Sequence, residues 1–481
     1  FGGSSVQIAG PTAAFATIVA GIVAKNGLDG LVIATILAGI FLILMGLCHF
    51  GTLIRFIPYT ITTGFTAGIA VTIVIGQLKD FFGVTYPDGV KPIETMEKLH
   101  AFVENCGTVN LSAVIVGVVS LAILIISPYI FKKIPGSLLA VVAGILMVKF
   151  LPLKASTIGD LYSISNALPG FHLPALSLAA VKDAIPNAFT IAVLAAIESL
   201  LSCVVADGMI NGKHRSDMEL VAQGAGNIAS ALFGGIPATG AIARTAANIK
   251  NGGRTPIAGM VHSITLVLVL VVLMPYAGMI PMPTIAAILF VVAYNMCQWR
   301  TFKQLVETAP KSDILVLVVT FALTVVFDLV VAIEIGMVLA CLLFIKRMSE
   351  ETRAESWVYA DDDSETVDET LRKLPKEIRV YEISGPLFFG AADIIEHIVV
   401  EDFAKCLVLR MRAVNALDST AMNALVNLTK ACESKGVTVV FSHVNEQPMK
   451  VMKKAKFVEL AGEENFCPNI SAALERAEKL A

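Results

Sequence analysis

Long apolar runs, broken at intervals by glycine, proline and single charges, fill the first 350 residues of the chain. A helix needs about 20 apolar residues to cross the hydrocarbon of a bilayer. Runs at 28–49, 57–78, 111–131, 136–152, 186–206, 217–234, 255–274, 282–298, 312–327 and 329–346 predict ten such crossings. Two shorter apolar segments, 12–25 and 241–250, bring the number to twelve. Beyond residue 350 the pattern changes. Strands near 378–389, 405–414 and 437–444 alternate with helices at 391–400, 418–434, 446–456 and 469–480, which predicts a small α/β domain with helices packed on a sheet. The stretch 351–375 carries Asp361-Asp362-Asp363 and Glu365 and reads as a charged linker. Three regions follow: a membrane region 1–350, a linker 351–375 and a cytoplasmic domain 376–481.

Composition sharpens the division. Apolar residues make up 56% of the chain and charged residues only 16%, and mean hydropathy is +0.76, an unusual balance for a soluble protein of this size. Residues 1–350 hold 37 charged side chains and residues 351–481 hold 38, so charge density nearly triples at the boundary. If the spans alternate, Arg55, Arg215, Arg254, Arg300, Arg347 and Arg353 fall on one side, joined by Lys132, Lys133, Lys213, Lys303, Lys311 and Lys346. That side is cytoplasmic by the excess of basic residues, and it carries the C-terminal domain. The loop 80–108, with Asp80, Asp88, Lys91 and Glu94, faces outward. A net charge of −3 argues against a nucleic-acid partner. Eight scattered cysteines without a CxxC pair suggest neither a metal site nor a disulfide framework.

The two short segments are the most informative feature. Val6-Gln7-Ile8-Ala9-Gly10-Pro11-Thr12 and Gly235-Ile236-Pro237-Ala238-Thr239-Gly240-Ala241 are short extended runs. Each is followed by an apolar helix, Ala13–Ala24 and Ala241–Lys250, reaching only about 15–20 Å. Extended backbone at membrane depth persists only where protein or a water-filled cavity satisfies it. Helix N-termini carry unpaired N–H groups and about half a positive charge, so two of them meeting inside a bundle make a seat for an anion. The alternative is a pair of ordinary spans with Gly/Pro kinks.

Gly10-Pro11-Thr12, Glu198-Ser199-Leu200-Leu201-Ser202, the run His214…Glu219-Leu220…Gln223-Gly224…Asn227 and Ala241-Ile242-Ala243-Arg244-Thr245-Ala246-Ala247-Asn248 resemble the sulfate permease (SulP) family of anion transporters. Asp418-Ser419-Thr420-Ala421 resembles the signature of the STAS domain that those proteins carry. Ile197-Glu198-Ser199-Leu200-Leu201, Asp207-Gly208-Met209 and Gly234–Thr239 look closest to bacterial C4-dicarboxylic acid uptake members. The resemblance implies an α-helical membrane fold of fourteen segments in seven-plus-seven inverted repeats, divided into core and gate domains, in the cell (inner) membrane. Twelve segments are visible, so two are expected before Phe1 and the chain is expected to be truncated there. The resemblance also implies a homodimer, a C-terminal domain open to a cytoplasmic regulatory protein, and no cofactor or catalytic group.

Glu198 lies inside an apolar helix, where a carboxylate is costly and by default a functional candidate. It is a candidate proton carrier, with Ser202 one turn later on the same face. In relatives that use sodium the position resembles an Asp paired with a hydroxyl, and a Glu is more like the proton-coupled members. The competing role for Glu198 is a structural carboxylate bonding helix ends. Arg244 sits in the second short helix, four residues after Gly240, where a cation adds to the helix dipole; it is either part of the anion site or a partner for a carboxylate such as Glu198. The backbone amides of Ala13, Ala14, Ala241 and Ile242 are candidate anion contacts, with hydroxyls from Thr12 and Thr239. Gln7 either helps or caps the extended run, and Phe15 either walls the pocket or packs in the core. Some relatives have a hydroxyl residue where Ala243 stands, which leaves selectivity open. Asp207, His214, Arg215 and Asp217 read as solvated turn and cap residues. Glu334 is expected to face water or the outer mouth, and Asp328 to be a turn residue. In the tail, Asp418 is placed to cap a helix, while the position of Thr420 matches a phosphorylation site in related single-domain regulators. The chain is thus expected to be a proton-coupled transporter of C4-dicarboxylate or sulfate working by an elevator-like movement. A bicarbonate transporter or an uncoupled anion channel on the same fold, and a membrane-tethered signalling protein, are the competing readings.

Overall fold

The computed structural model describes residues 2–12, 14–87, 89–90, 92–130, 134–151, 153–162, 167–174, 177–327, 329–356, 375–399 and 403–481. Ala13, Asp88, Lys91, Lys132, Lys133, Asp328, Asp361–Asp363 and Glu365 lie outside the described residues. The chain divides into two compact units, Phe1–Val338 and Leu339–Ala481.

In the first unit a two-residue strand β1 (Ala9–Gly10) leads into α1 (Phe15–Leu47), a helix interrupted at Gly27, whose φ of 70° and ψ of −173° are not helical. The short helix and the first full span expected from the sequence are therefore the two halves of α1. There follow α2 (Tyr59–Phe82), α3 (Thr95–Glu104), α4 (Leu111–Ile130), α5 (Gly136–Phe150), α6 (Ile158–Leu161), α7 (Leu178–Ile210) and α8 (Ser216–Leu232). A second two-residue strand, β2 (Thr239–Gly240), precedes α9 (Ile242–Lys250). The unit continues with α10 (Ile257–Leu268), α11 (Met274–Ala277), α12 (Met282–Cys297), α13 (Trp299–Thr308), α14 (Lys311–Val326) and α15 (Leu329–Glu351), which runs on into the second unit.

Helix ends follow local chemistry. Pro58 in extended conformation sits just before α2, and Gly83 in the left-handed region ends it. The Ser177 hydroxyl caps α7 by accepting the Ala180 N–H at 3.1 Å. With that cap α7 begins eight residues before the expected start at 186 and carries Pro186 within its length. Between α10 and α11 the backbone makes a π turn over Val269–Leu273, where Pro275 has no N–H to give to the preceding turn. Residues 257–277 are apolar enough to span and bury no side chain, as expected of a helix facing lipid. Six helices among the described residues are long and apolar enough to cross a membrane. The sequence pattern missed α3 and α13, which are amphipathic helices of ten residues each.

Two packed groups form. In one, α1 lies against α7 and α8, and α7 against α9, around Phe15, Leu42, Ile191, Leu194 and Leu220. In the other, α2 packs on α12 and α14, and α4 on α5 and α12, around Phe81, Leu124, Ala140, Ala286 and Ala287. Backbones come very close where α1 meets α8. A Cβ added to Gly39 would lie 2.6 Å from the Gly224 carbonyl oxygen, and one added to Gly224 would overlap the Gly39 carbonyl oxygen. Gly224→Ala is accordingly expected to cost about 1–3 kcal/mol through forced separation of the helices, read as a lower melting temperature of the detergent-solubilised protein.

The second unit holds a five-stranded sheet in the order β3 (Arg353–Ser356), β4 (Ile378–Ser384), β5 (Cys406–Ala413), β6 (Thr438–Ser442) and β7 (Phe466–Cys467). β3 is an antiparallel edge strand; the other pairings are parallel. Alternation along β5 sends Leu407, Leu409 and Met411 to a core shared with α16 (Asp393–Glu396), α17 (Ser419–Ser434), α18 (Glu446–Lys454) and α19 (Phe457–Ala461). Cys406 and Val408 point to the opposite face, against Ala473, Leu474 and Ala477 of α20 (Ile470–Leu480). Burial on both faces explains the apolar run Cys406–Leu409 that opens β5. Two expectations change: the helix at 391–400 contracts to Asp393–Glu396, and the stretch read as linker opens with strand β3.

Candidate functional site

The extended runs before the two short helices find each other. β1 pairs antiparallel with β2, Ala9 opposite Gly240 and Gly10 opposite Thr239, and the Ala241 N–H adds a bond to the Ile8 carbonyl (3.0 Å). Each run supplies the backbone partners the other needs in apolar surroundings. The ribbon brings the N-terminal end of α1 and that of α9 to one place. In α9 the first intrahelical bond is from the Thr245 N–H to the Ala241 carbonyl (2.9 Å), so the amides of Ile242 and Ala243 precede it.

Side chains from α7 and α9 hold the ribbon. The Thr239 hydroxyl donates to the Ala195 carbonyl (3.0 Å) and shares a hydrogen bond with Ser199 Oγ (2.8 Å), which also accepts the Gly240 N–H (3.0 Å). Thr245 Oγ1 accepts the Ile8 N–H (3.0 Å), and Asn248 Nδ2 donates to the Val6 carbonyl (2.9 Å). Gly240 is closely packed: a Cβ there would overlap the end of the Gln7 side chain and approach the Ser199 Cα to 3.1 Å. Gln7 Oε1 accepts from Cys203 Sγ, and its Nε2 is buried without a partner. Ser199, Thr245 and Asn248 stand in the sequence only within the motifs that carry the family resemblance, with no individual role. They recur at helical spacing on the otherwise apolar faces of α7 and α9, and that spacing is the signal that marks them.

Glu198, 7% exposed on α7, accepts the Thr12 hydroxyl on Oε2 at 2.8 Å. Arg244 donates from a terminal guanidinium nitrogen to the Pro11 carbonyl at 2.6 Å. The first extended run is thus tied at neighbouring residues to an acid on α7 and a base on α9. Among the described residues no ion pair joins Arg244 and Glu198; each faces the run between them.

Several sequence expectations are corrected here, while Phe15 and Asp418 take roles the sequence had offered, packing and capping. The Ala241 amide is consumed by Ile8, and the Thr239 hydroxyl by Ala195 and Ser199, so neither is open to an anion. The Ser202 hydroxyl donates to Thr245 Oγ1 (3.3 Å), not to Glu198. Phe15 is 1% exposed and belongs to the apolar core. Ala14 stands at the N-cap of α1, and Ala13 lies outside the described residues. His214 is not solvated: with its side chain 8% exposed, its Nδ1 meets Asp207 Oδ2 at 2.7 Å and its Nε2 meets Ser216 Oγ at 2.9 Å. Asp217 pairs with His49 at 2.8 Å. In the second unit Asp418 caps α17 through Ala421 N–H (2.9 Å) and also accepts the Phe389 N–H (2.8 Å), leaving Ser419 and Thr420 on the first helical turn, with Thr420 exposed.

Broken helices joined by a ribbon, with a buried acid and a base beside the joint, define a membrane transporter for anions. Residues 1–320 match the model of the sulfate permease family and residues 372–473 that of the STAS domain, and the chain belongs to the sulfate permease family. It is 39% identical over 97% of its length, and 87% of the relative's, to a putative sulfate transporter, YvdB, of Bacillus subtilis. It is 31% identical to the bicarbonate transporter BicA of Synechocystis, over 99% of this chain and 86% of that one. Among solved structures it superimposes on the murine Solute Carrier 26 family member A9 anion transporter with a TM-score of 0.85 at 18% identity, covering 99% of this chain and 84% of that one. The transmembrane domain of a cyanobacterial BicA matches with a TM-score of 0.59 at 28% identity, over 71% and 85%. The protein is a multi-pass membrane transporter with its STAS domain on the cytoplasmic side.

Proposed function

We propose that the protein takes up a small oxyanion together with a proton, holding the anion between the ends of α1 and α9 and carrying the proton on Glu198. The observation that supports this reading best is the β1–β2 pairing, which sets two helix N-termini, Arg244 and Glu198 around one point. Ile242 and Ala243 offer amides, and Arg244 offers positive charge. Thr12 links the acid to the run that borders the anion, so protonation of Glu198 and filling of the site act on a shared hydrogen bond. Movement of the α1–α7–α8–α9 group against the group built on α2, α4 and α12 would carry the site across the membrane as an elevator does. Sulfate and bicarbonate are the substrates favoured by the relatives' names, with a C4-dicarboxylate as the third candidate. A homodimer, and regulation of the STAS domain through a cytoplasmic protein or phosphate at Thr420, belong to the same reading.

Uptake of sulfate, bicarbonate and succinate into proteoliposomes, with and without an inward proton gradient, tests the proposal. Accumulation of one of them only with the gradient is expected. Uptake or current indifferent to the gradient would replace symport with an uncoupled channel.

A further inference from the structure

One polar column in the first unit has no part in the proposed chemistry. Glu219, Gln223 and Asn227 lie four residues apart on α8 and are 3%, 7% and 1% exposed. Spacing of four puts them on one helix face, and burial of such groups is costly unless each finds partners.

Their partners are the segments that make the ribbon. Glu219 Oε2 accepts the amides of Gly3 (2.7 Å) and Ser4 (3.1 Å), in the segment that leads into the first extended run. Its Oε1 accepts from Gln223 Nε2 (3.1 Å). Asn227 Nδ2 donates to the Gln223 carbonyl (2.8 Å) and to the Ala238 carbonyl (2.8 Å), while its Oδ1 accepts the Ala238 N–H (2.8 Å). Ala238 is the residue before β2. The Asn227 amide thus pairs with both backbone groups of Ala238, as a neighbouring strand would. The residue types match what each segment needs, since one carboxylate oxygen accepts two adjacent amides while the other accepts Gln223, and a carboxamide offers a donor and an acceptor to one peptide.

We infer that Glu219, Gln223 and Asn227 are positioning residues that hang both extended runs from one face of α8, set the gap between the ends of α1 and α9, and so fix anion affinity. The inference rests on the reading that the anion sits between those ends. The Gly39–Gly224 contact places α8 itself against α1, so the helix that carries the column is also packed on the helix that forms one wall of the gap.

The test uses the full chain in proteoliposomes, with sulfate and bicarbonate as probes for binding and for initial uptake rates. Asn227→Leu keeps the branching at Cγ with somewhat greater bulk and removes all three hydrogen bonds. KM and Kd are expected to rise roughly tenfold, with the maximal rate per folded transporter changed by less than about twofold. Asn227→Asp keeps the acceptor for Ala238 N–H and is expected to fall between Asn227→Leu and wild type. Glu219→Gln keeps an oxygen for Gly3 and Ser4 and is expected near wild type, whereas Glu219→Leu follows Asn227→Leu. If Asn227→Leu does not fold, the ordering of wild type, Glu219→Gln and Asn227→Asp in KM carries the same comparison. Unchanged KM, or a fall in maximal rate alone, would overturn the column while leaving the anion site standing. Wild-type protein that binds neither anion would overturn the anion site and the column with it.

Discussion

Arg244→Ala is expected to weaken anion binding by roughly ten- to a hundredfold, the range for losing a hydrogen-bonded charge at a half-buried position. The loss has two parts. Arg244 is the positive side chain beside the ends of α1 and α9, and its guanidinium also ties Pro11 of the first extended run to α9 at 2.6 Å. Alanine removes the field and the tie together. Arg244→Lys keeps the charge but replaces a planar fork by a flexible point donor, so it is expected to weaken binding less. Isothermal titration of the purified protein with sulfate and bicarbonate reads both variants. Unchanged affinity in Arg244→Ala would remove Arg244 from the site.

The second large effect is expected at Glu198. Glu198→Gln retains the shape and an acceptor for the Thr12 hydroxyl but cannot exchange a proton. For one proton carried with each anion, a gradient of about one pH unit supports about tenfold accumulation. That factor is expected to fall to about one in Glu198→Gln, with folding and anion binding retained. Accumulation that still follows the gradient in the variant would assign the proton to another group.

Much of this arrangement could be read from the chain before its structure. The Gly/Pro-rich runs before two short apolar helices marked the ribbon because no membrane-buried backbone can stay extended without a partner. Glu198 stood out as a lone acid within the apolar stretch of its helix, and the strand–helix alternation after residue 376 announced a small α/β domain, with the STAS resemblance carried by Asp418–Ala421. What the sequence could not convey was pairing. Two-residue strands have no periodicity, so nothing local says that Ala9 faces Gly240. Without that register the Ala241 amide looks free, though Ile8 uses it, and the hydroxyls of Thr239 and Ser202 look available, though Ser199, Ala195 and Thr245 claim them. The buried His214 escaped for the same reason: its partner Asp207 is seven residues away, across a turn. In the tail, β3 was hidden inside a charged stretch because an edge strand needs only one apolar face.

The ribbon also dictates an order of assembly. The Ile8 amide bonds Thr245, 237 residues further along the chain, and contacts of such separation form late because the intervening loop must close first. During insertion the leading run therefore reaches its native partners only once α7, α8 and α9 have entered the bilayer. The ribbon is thus the keystone of the bundle, set after the arch has been raised.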